Sequence, residues 1–275
     1  MGVINSVMGG IFNVLLYLFR GLSPWFGMAF ISLLTALLML WVFKLTSNQG
    51  GIRAAKNAIK AHLLELRLFQ DNMRVSLRAQ GRILRANGRY LACNTKPLLV
   101  MIVPLVLILA QVNLWFGASP LRPGQATLVK LKLAKPADPV GTDIAIVPSP
   151  GLAVETPAVR ISDLGEVAWR IRAPEKGPAS LTFRVAEKTL VMPVAVAARR
   201  LTKVPAQAVG HSVLRELLYP GADILPAGAP VTSIEVLYPS GGLRLFGLAV
   251  NWLVAYFLLS IVFGFALKGL FRVEI

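Results

Sequence analysis

Three apolar stretches, with one intensely basic segment between the first two, constrain this chain more than any other feature. Residues 25–43, 97–117 and 245–267 carry no Asp, Glu, Lys or Arg. Each matches the run of roughly 20 apolar residues that a helix needs to cross a bilayer. From Lys44 to Lys96 stand eleven Lys or Arg (44, 53, 56, 60, 67, 74, 78, 82, 85, 89 and 96) against two acids, Glu65 and Asp71. Short loops so rich in Lys and Arg are retained on the cytoplasmic side. The expected layout is an integral protein of a prokaryotic plasma membrane, N-terminus out and C-terminus in. Its spans are 25–44, 97–117 and 245–268, with 48–95 cytoplasmic, 118–243 outside and a cytoplasmic tail at 269–275.

Composition supports lipid solvation. The chain is 55% hydrophobic and 15% charged, against about 25% charged for an ordinary globular domain. A net charge of +16 invites a nucleic-acid reading, but the bases are concentrated in one loop between spans. Anionic inner-leaflet lipid is a sufficient partner for them, with ribosomal RNA an open alternative. The one cysteine, Cys93, excludes an intrachain disulfide and reads as a packing residue, with acylation at the membrane edge as the alternative. His62 and His211 lie far apart, so no zinc, haem or iron–sulfur site and no cofactor is expected.

Residues 1–22 lack the form of a signal peptide. Ile4, Val7, Met8, Ile11, Leu15, Leu16, Leu18 and Phe19 mark one broad helical face, with Asn5, Ser6, Gly9, Gly10 and Asn13 mainly opposite. This predicts a helix along the outer membrane surface; a short fourth span competes. In the basic segment Ile52, Ile59, Leu66 and Met73 recur every seven residues, as do Leu77, Leu84 and Leu91. Seven-residue spacing predicts paired helices, here an antiparallel hairpin reversing at Gln70–Asn72, with Gly81 and Gly88 weakening its second arm. Arg74, Arg78, Arg82, Arg85 and Arg89 then form a solvated face near anionic lipid, or a cytoplasmic docking surface for a ribosome, a targeting factor or a nascent chain. Charge alone does not separate the two.

Residues 126–238 alternate with period two. Val129, Leu131 and Leu133; Val167, Trp169 and Ile171; Leu181, Phe183 and Val185; and Leu190, Met192, Val194 and Val196 each share a face. Turn signals at Pro150–Gly151, Gly177–Pro178 and Pro220–Gly221 separate strands. Six or seven short strands predict an all-β, sandwich-like insert. Val213, Leu214, Leu217 and Leu218 suit a short helix before a last strand at Val231–Tyr238. No nucleophile–base pairing is readable, so a binding or docking module is expected and not an enzyme.

The order of elements and its local text resemble the Oxa/YidC superfamily of membrane protein insertases. Phe-Ile-Ser-Leu-Leu-Thr at 30–35, followed by Lys-Leu-Thr-Ser-Asn-Gln at 44–49, is similar to the family's first core span and its exit. Asn-Thr-Lys-Pro-Leu-Leu at 94–99, then Val103-Pro104-Leu105, is similar to the re-entry into its second span. Asn251-Trp252 through Ser260, ending in Lys268, looks like the last span of the three-span archaeal and ER-type members. The resemblance covers residues 1–117 and 243–275. It implies a three-span core that assists insertion of client membrane proteins or nascent chains through a polar intramembrane groove.

Two departures stand out. Met39 occupies the place of the arginine that lines the groove in YidC-type members, and a β-rich insert replaces a short loop. Among the intramembrane polar residues Ser32, Thr35, Gln111, Asn113, Asn251 and Ser260, the groove candidates are Thr35, Gln111, Asn251 and Ser260. Interhelical hydrogen bonding competes, most strongly for Ser32, Thr35 and Ser260. The alternative function is a non-catalytic structural subunit or assembly factor of a larger membrane complex, docking other subunits through the outer β domain.

Overall fold

Apolar length and capping set the helices. The computed structural model describes residues 2–135, 137–173, 179–196, 201–210, 218–222, 225, 229–241, 243–245 and 247–271. Within these, α1 spans Gly2–Tyr17, α2 Pro24–Thr46, α3 Gln49–Leu68, α4 Met73–Phe116 and α5 Trp252–Phe271. Three of them, α2, α4 and α5, are long and apolar enough to cross a membrane, and we read the chain as a membrane protein on that basis. The chain divides into two compact units, residues 29–106 with 255–275, and residues 1–28 with 107–254.

The first of these units is helical. Pro24 opens α2 at the first helical position, where its missing N–H costs nothing, and Lys44 stands in the last turn. Asn48 caps α3, its side chain accepting from Gly51 N–H at 2.9 Å. Asn72 does the same for α4 through Val75 N–H at 3.3 Å. The reversal between α3 and α4 therefore falls at residues 69–72, where Gln70–Asn72 was expected. Cys93 packs with Phe43, Ile52, Tyr90, Met101 and Phe271, which favours its packing role.

The hairpin seam corrects one expectation. Ile52 and Ala55 of α3 are buried, but on the hairpin part of α4, residues 73–95, the buried residues are Ala79 and Ala86. Leu77, Leu84 and Leu91, expected in the seam, are 61%, 73% and 64% exposed. A Cβ on Gly51 would lie 3.1 Å from Cys93 Sγ, so at that level the two arms pass closely through small residues.

Helix α4 is one element of 44 residues, about 66 Å at 1.5 Å per residue. The second arm of the hairpin, whose two arms were read from sequence as 48–95, and the second span, read as 97–117, are thus continuous through Pro97 and Pro104. Asn94 Nδ2 donates to Tyr90 O at 2.8 Å and Thr95 Oγ1 to Leu91 O at 2.9 Å just before the first proline. Helix α5 begins at Trp252, later than the expected 245, because β10 (Arg244–Leu245) and β11 (Leu248–Ala249) form a hairpin turned at Gly247, φ +86°.

The other unit carries the β domain. Its six-stranded sheet runs β3 (Ala153–Val154), β5 (Glu166–Arg172), β1 (Ala126–Leu133), β9 (Val231–Val236), β8 (Gln207–Val209), with β4 (Val159–Ile161) also on β5. A second sheet runs β2 (Ile144–Pro148), β6 (Ala179–Val185), β7 (Lys188–Val194). All these pairings are antiparallel. The residues expected to face inward on β1, β5, β6 and β7 are buried in one core shared by both sheets; Val196, placed by sequence at the end of the β7 row, is only partly buried against it. Trp169 of one sheet meets Phe183 of the other with ring centroids 5.8 Å apart. The insert is therefore a two-sheet β-sandwich, with more strands than sequence alone predicted because β3, β4 and β8 are too short for a periodic signal.

Gly151 and Gly221 both adopt φ +86°, as the second central residue of a Pro–Gly turn requires. The turn at Gly177–Pro178 lies outside the described residues, as does nearly all of the helix expected at 213–218. Helix α1, at 16 residues, is shorter than the roughly 20 that a span needs. It buries Phe12 and Leu16 and exposes Val7, Ile11 and Val14, with Leu18 exposed just past its end.

Candidate functional site

Thr35 and Ser260 come together in the helical unit; Gln111 and Asn251 belong to the other unit. Thr35 is buried on α2, its hydroxyl donating to Ile31 O at 2.8 Å. One turn earlier on the same face, buried Ser32 donates to Tyr256 O at 3.4 Å. The hydroxyl of Tyr256, a fully buried side chain of α5, lies against those of Thr35 and Ser260. Neither Tyr256 Oη nor Ser260 Oγ completes a regular hydrogen bond. A cluster of four hydroxyls thus sits among apolar helices with hydrogen-bonding capacity to spare.

Tyr256 was missed as a site residue. Its signal was present: Tyr256 and Ser260 are four apart, which places them on one helical face. Asn251 is exposed and its Oδ1 accepts Leu253 N–H at 2.8 Å, capping α5; this local role accounts for the amide. Gln111 is 1% exposed, and its Oε1, like Asn13 Oδ1, has no hydrogen-bond partner. Both side chains line a cavity of about 370 Å³.

The docking arginines Arg74, Arg78, Arg82, Arg85 and Arg89 are all exposed on α4. Arg82 Nη1 donates to Glu65 at 3.1 Å. His62 Nδ1 stands 3.0 Å from the other oxygen of that carboxylate. Its hydrogen bond, then the Arg82 charge, holds Glu65 below the usual carboxylate range. Opposite the alanine seam, Leu77, Leu84 and Leu91 make an exposed row at seven-residue spacing. Leu98, 56% exposed, extends the row into the apolar stretch. Sequence reading identified these leucines but assigned them to the wrong side of the helix.

Among the described residues no group of three or more His, Cys, Asp or Glu could hold a metal ion. No known protein family, characterised protein or solved structure matches this chain.

Proposed function

We propose that the chain is an insertase-like membrane chaperone of the Oxa/YidC type, with no catalytic chemistry. The observation that carries the reading is the leucine row of α4. It begins on a basic hairpin and continues without a helix break to Leu98 in an apolar stretch. An apolar client segment can leave water along such a ridge while the arginines hold its acidic flanks or anionic headgroups. The barrier to be lowered is the transfer of polar and charged groups, roughly 2.5–3.5 kcal/mol for a charge at mid-bilayer on insertion scales. Thr35, Tyr256 and Ser260 offer the passing segment hydrogen-bond partners in hydrocarbon, and no nucleotide is required. In this reading the hairpin is cytoplasmic and the β-sandwich lies across the membrane.

Site-specific photocrosslinkers at 77, 84, 91, 35 and 260 test the proposal during translation of short-tailed or N-out membrane proteins. Transient adducts moving from the hairpin positions to the bundle positions support it. Crosslinks to lipid alone, with unchanged insertion of every client after depletion, would rule it out.

One observation favours the second reading, a subunit of a larger complex. On the smaller sheet Val147, Thr182 and Val191 are cross-strand neighbours, and both valines are exposed. A stoichiometric partner retained in gentle detergent and lost on Val191→Asp would favour docking through that face.

A further inference from the structure

The cavity beside Gln111 has the chemistry of a lipid headgroup site. Its volume of about 370 Å³ lies within the roughly 300–1,000 Å³ typical of small-molecule sites. Helix α1 contributes a small, polar face to it, including Gly9 and Asn13; α4 contributes Gln111 and Trp115, and Lys203 completes the polar lining. A Cβ on Gly9 would meet nothing within 4 Å, so the space is open on the α1 side. The two orphan oxygens, Gln111 Oε1 and Asn13 Oδ1, are acceptors and call for donors. The Lys203 ammonium calls for an anion.

The depth is indicated by aromatic residues. The Arg20 guanidinium lies 5.6 Å from the Trp115 ring centroid and 5.3 Å from that of Tyr17. Trp, Tyr and Arg in such groups belong at the membrane–water interface. The exposed Val7, Ile11 and Val14 stripe of α1, with Leu18 just beyond it, suits acyl chains at that same level.

We propose that this cavity binds a phospholipid headgroup whose phosphodiester pairs with Lys203 and whose terminal N–H or O–H groups donate to Gln111 Oε1 and Asn13 Oδ1. Phosphoethanolamine and phosphoglycerol carry such donors. Phosphocholine, with a trimethylated ammonium, carries none. The site is independent of the insertion reading and stands or falls by itself.

Native mass spectrometry of the full chain, titrated with phosphatidylethanolamine, phosphatidylglycerol and phosphatidylcholine of matched acyl chains, tests it. Retention of either donor-bearing lipid is expected to exceed that of phosphatidylcholine by up to about tenfold, as one net hydrogen bond to a buried acceptor allows. Preference for the first assigns an ammonium donor, for the second glycerol hydroxyls. Gln111→Leu should erode the preference, Lys203→Ala should weaken retention of all three lipids because each carries the phosphodiester, and Gly9→Leu should block retention by filling the space. Lys203 is exposed and Gly9 has room, so these two decide the matter should Gln111→Leu fail to fold. Equal retention of all three lipids, retention of none, or retention unchanged in Lys203→Ala and Gly9→Leu would overturn the assignment.

Discussion

Glu65 and Arg82, seventeen residues apart in sequence, meet at 3.1 Å across the α3–α4 hairpin. Glu65 is one of two acids between Lys44 and Lys96, and the pair joins the two arms near the reversal. Exposed ion pairs add little stability by themselves, but this one opposes the mutual repulsion of a strongly basic arm.

The pairing has a pH signature. A carboxylate held below its usual range contributes stability that is present above the unfolded value and lost as pH falls through the folded one. The arms should therefore loosen in acid, below about pH 4. Spin labels at positions 61 and 87 should report a broader distance distribution there. Glu65→Gln should show that broad distribution at pH 7 and lose the acid step.

Tyr238 predicts an opposite, alkaline limit for the β-sandwich. Its hydroxyl accepts Ala195 N–H at 2.9 Å, and burial pushes its pKa up to about 12 from 10.0. The folded state thus favours the neutral phenol. Its contribution is complete below pH 10 and is lost as pH rises from 10 towards 12. Thermal melts at pH 9 and pH 11 should show this loss, and Tyr238→Phe should remove the pH-dependent part. The same variant orphans Ala195 N–H, at a cost of about 1–3 kcal/mol at neutral pH.

Gly241 is held to its identity by a backbone approach. A Cβ there would fall 1.6 Å from Phe116 O, and its own N–H donates to Gly117 O at 3.1 Å. Gly241→Ala should destabilise the unit by about 3 kcal/mol, the upper end of ordinary substitutions. Gly264→Ala, where a Cβ meets nothing within 4 Å, is the matched control and should be close to neutral.

The hydroxyl cluster can be divided between its two roles. Thr35 bonds within its own helix and Ser260 Oγ completes no regular hydrogen bond, so Thr35→Val with Ser260→Ala breaks no strong interhelical bond and should shift stability by no more than about 1 kcal/mol. A groove role predicts that the same double variant lowers client insertion several-fold beyond that small loss. Unchanged insertion with reduced stability would assign the hydroxyls to helix packing alone.

Some of this architecture was legible because it is local. The reversal near Gln70–Asn72, the apolar runs and the alternating rows through Trp169 and Phe183 each depend on spacing within a short segment. The leucines of α4 were misassigned for a related reason. Leu77, Leu84 and Leu91 and the series Ala79, Ala86, Cys93 repeat with the same period, so periodicity does not choose between them. Asn251 was read as intramembrane because apolar text begins at 245, whereas a two-strand hairpin occupies the start of that text.

By itself the sequence determined which segments are apolar enough to span, where the basic arm turns and which strand residues face the sandwich core. Burial of a strand face or a span follows from composition and period, which neighbouring residues set together. Only the tertiary structure decided that alanines form the hairpin seam, that Tyr256 joins Thr35 and Ser260, and that Gln111 and Asn13 share a cavity. Those outcomes depend on how closely distant elements approach. Side-chain volumes on both partners set that distance, Gly51 against Cys93 being one instance, and no single segment encodes it.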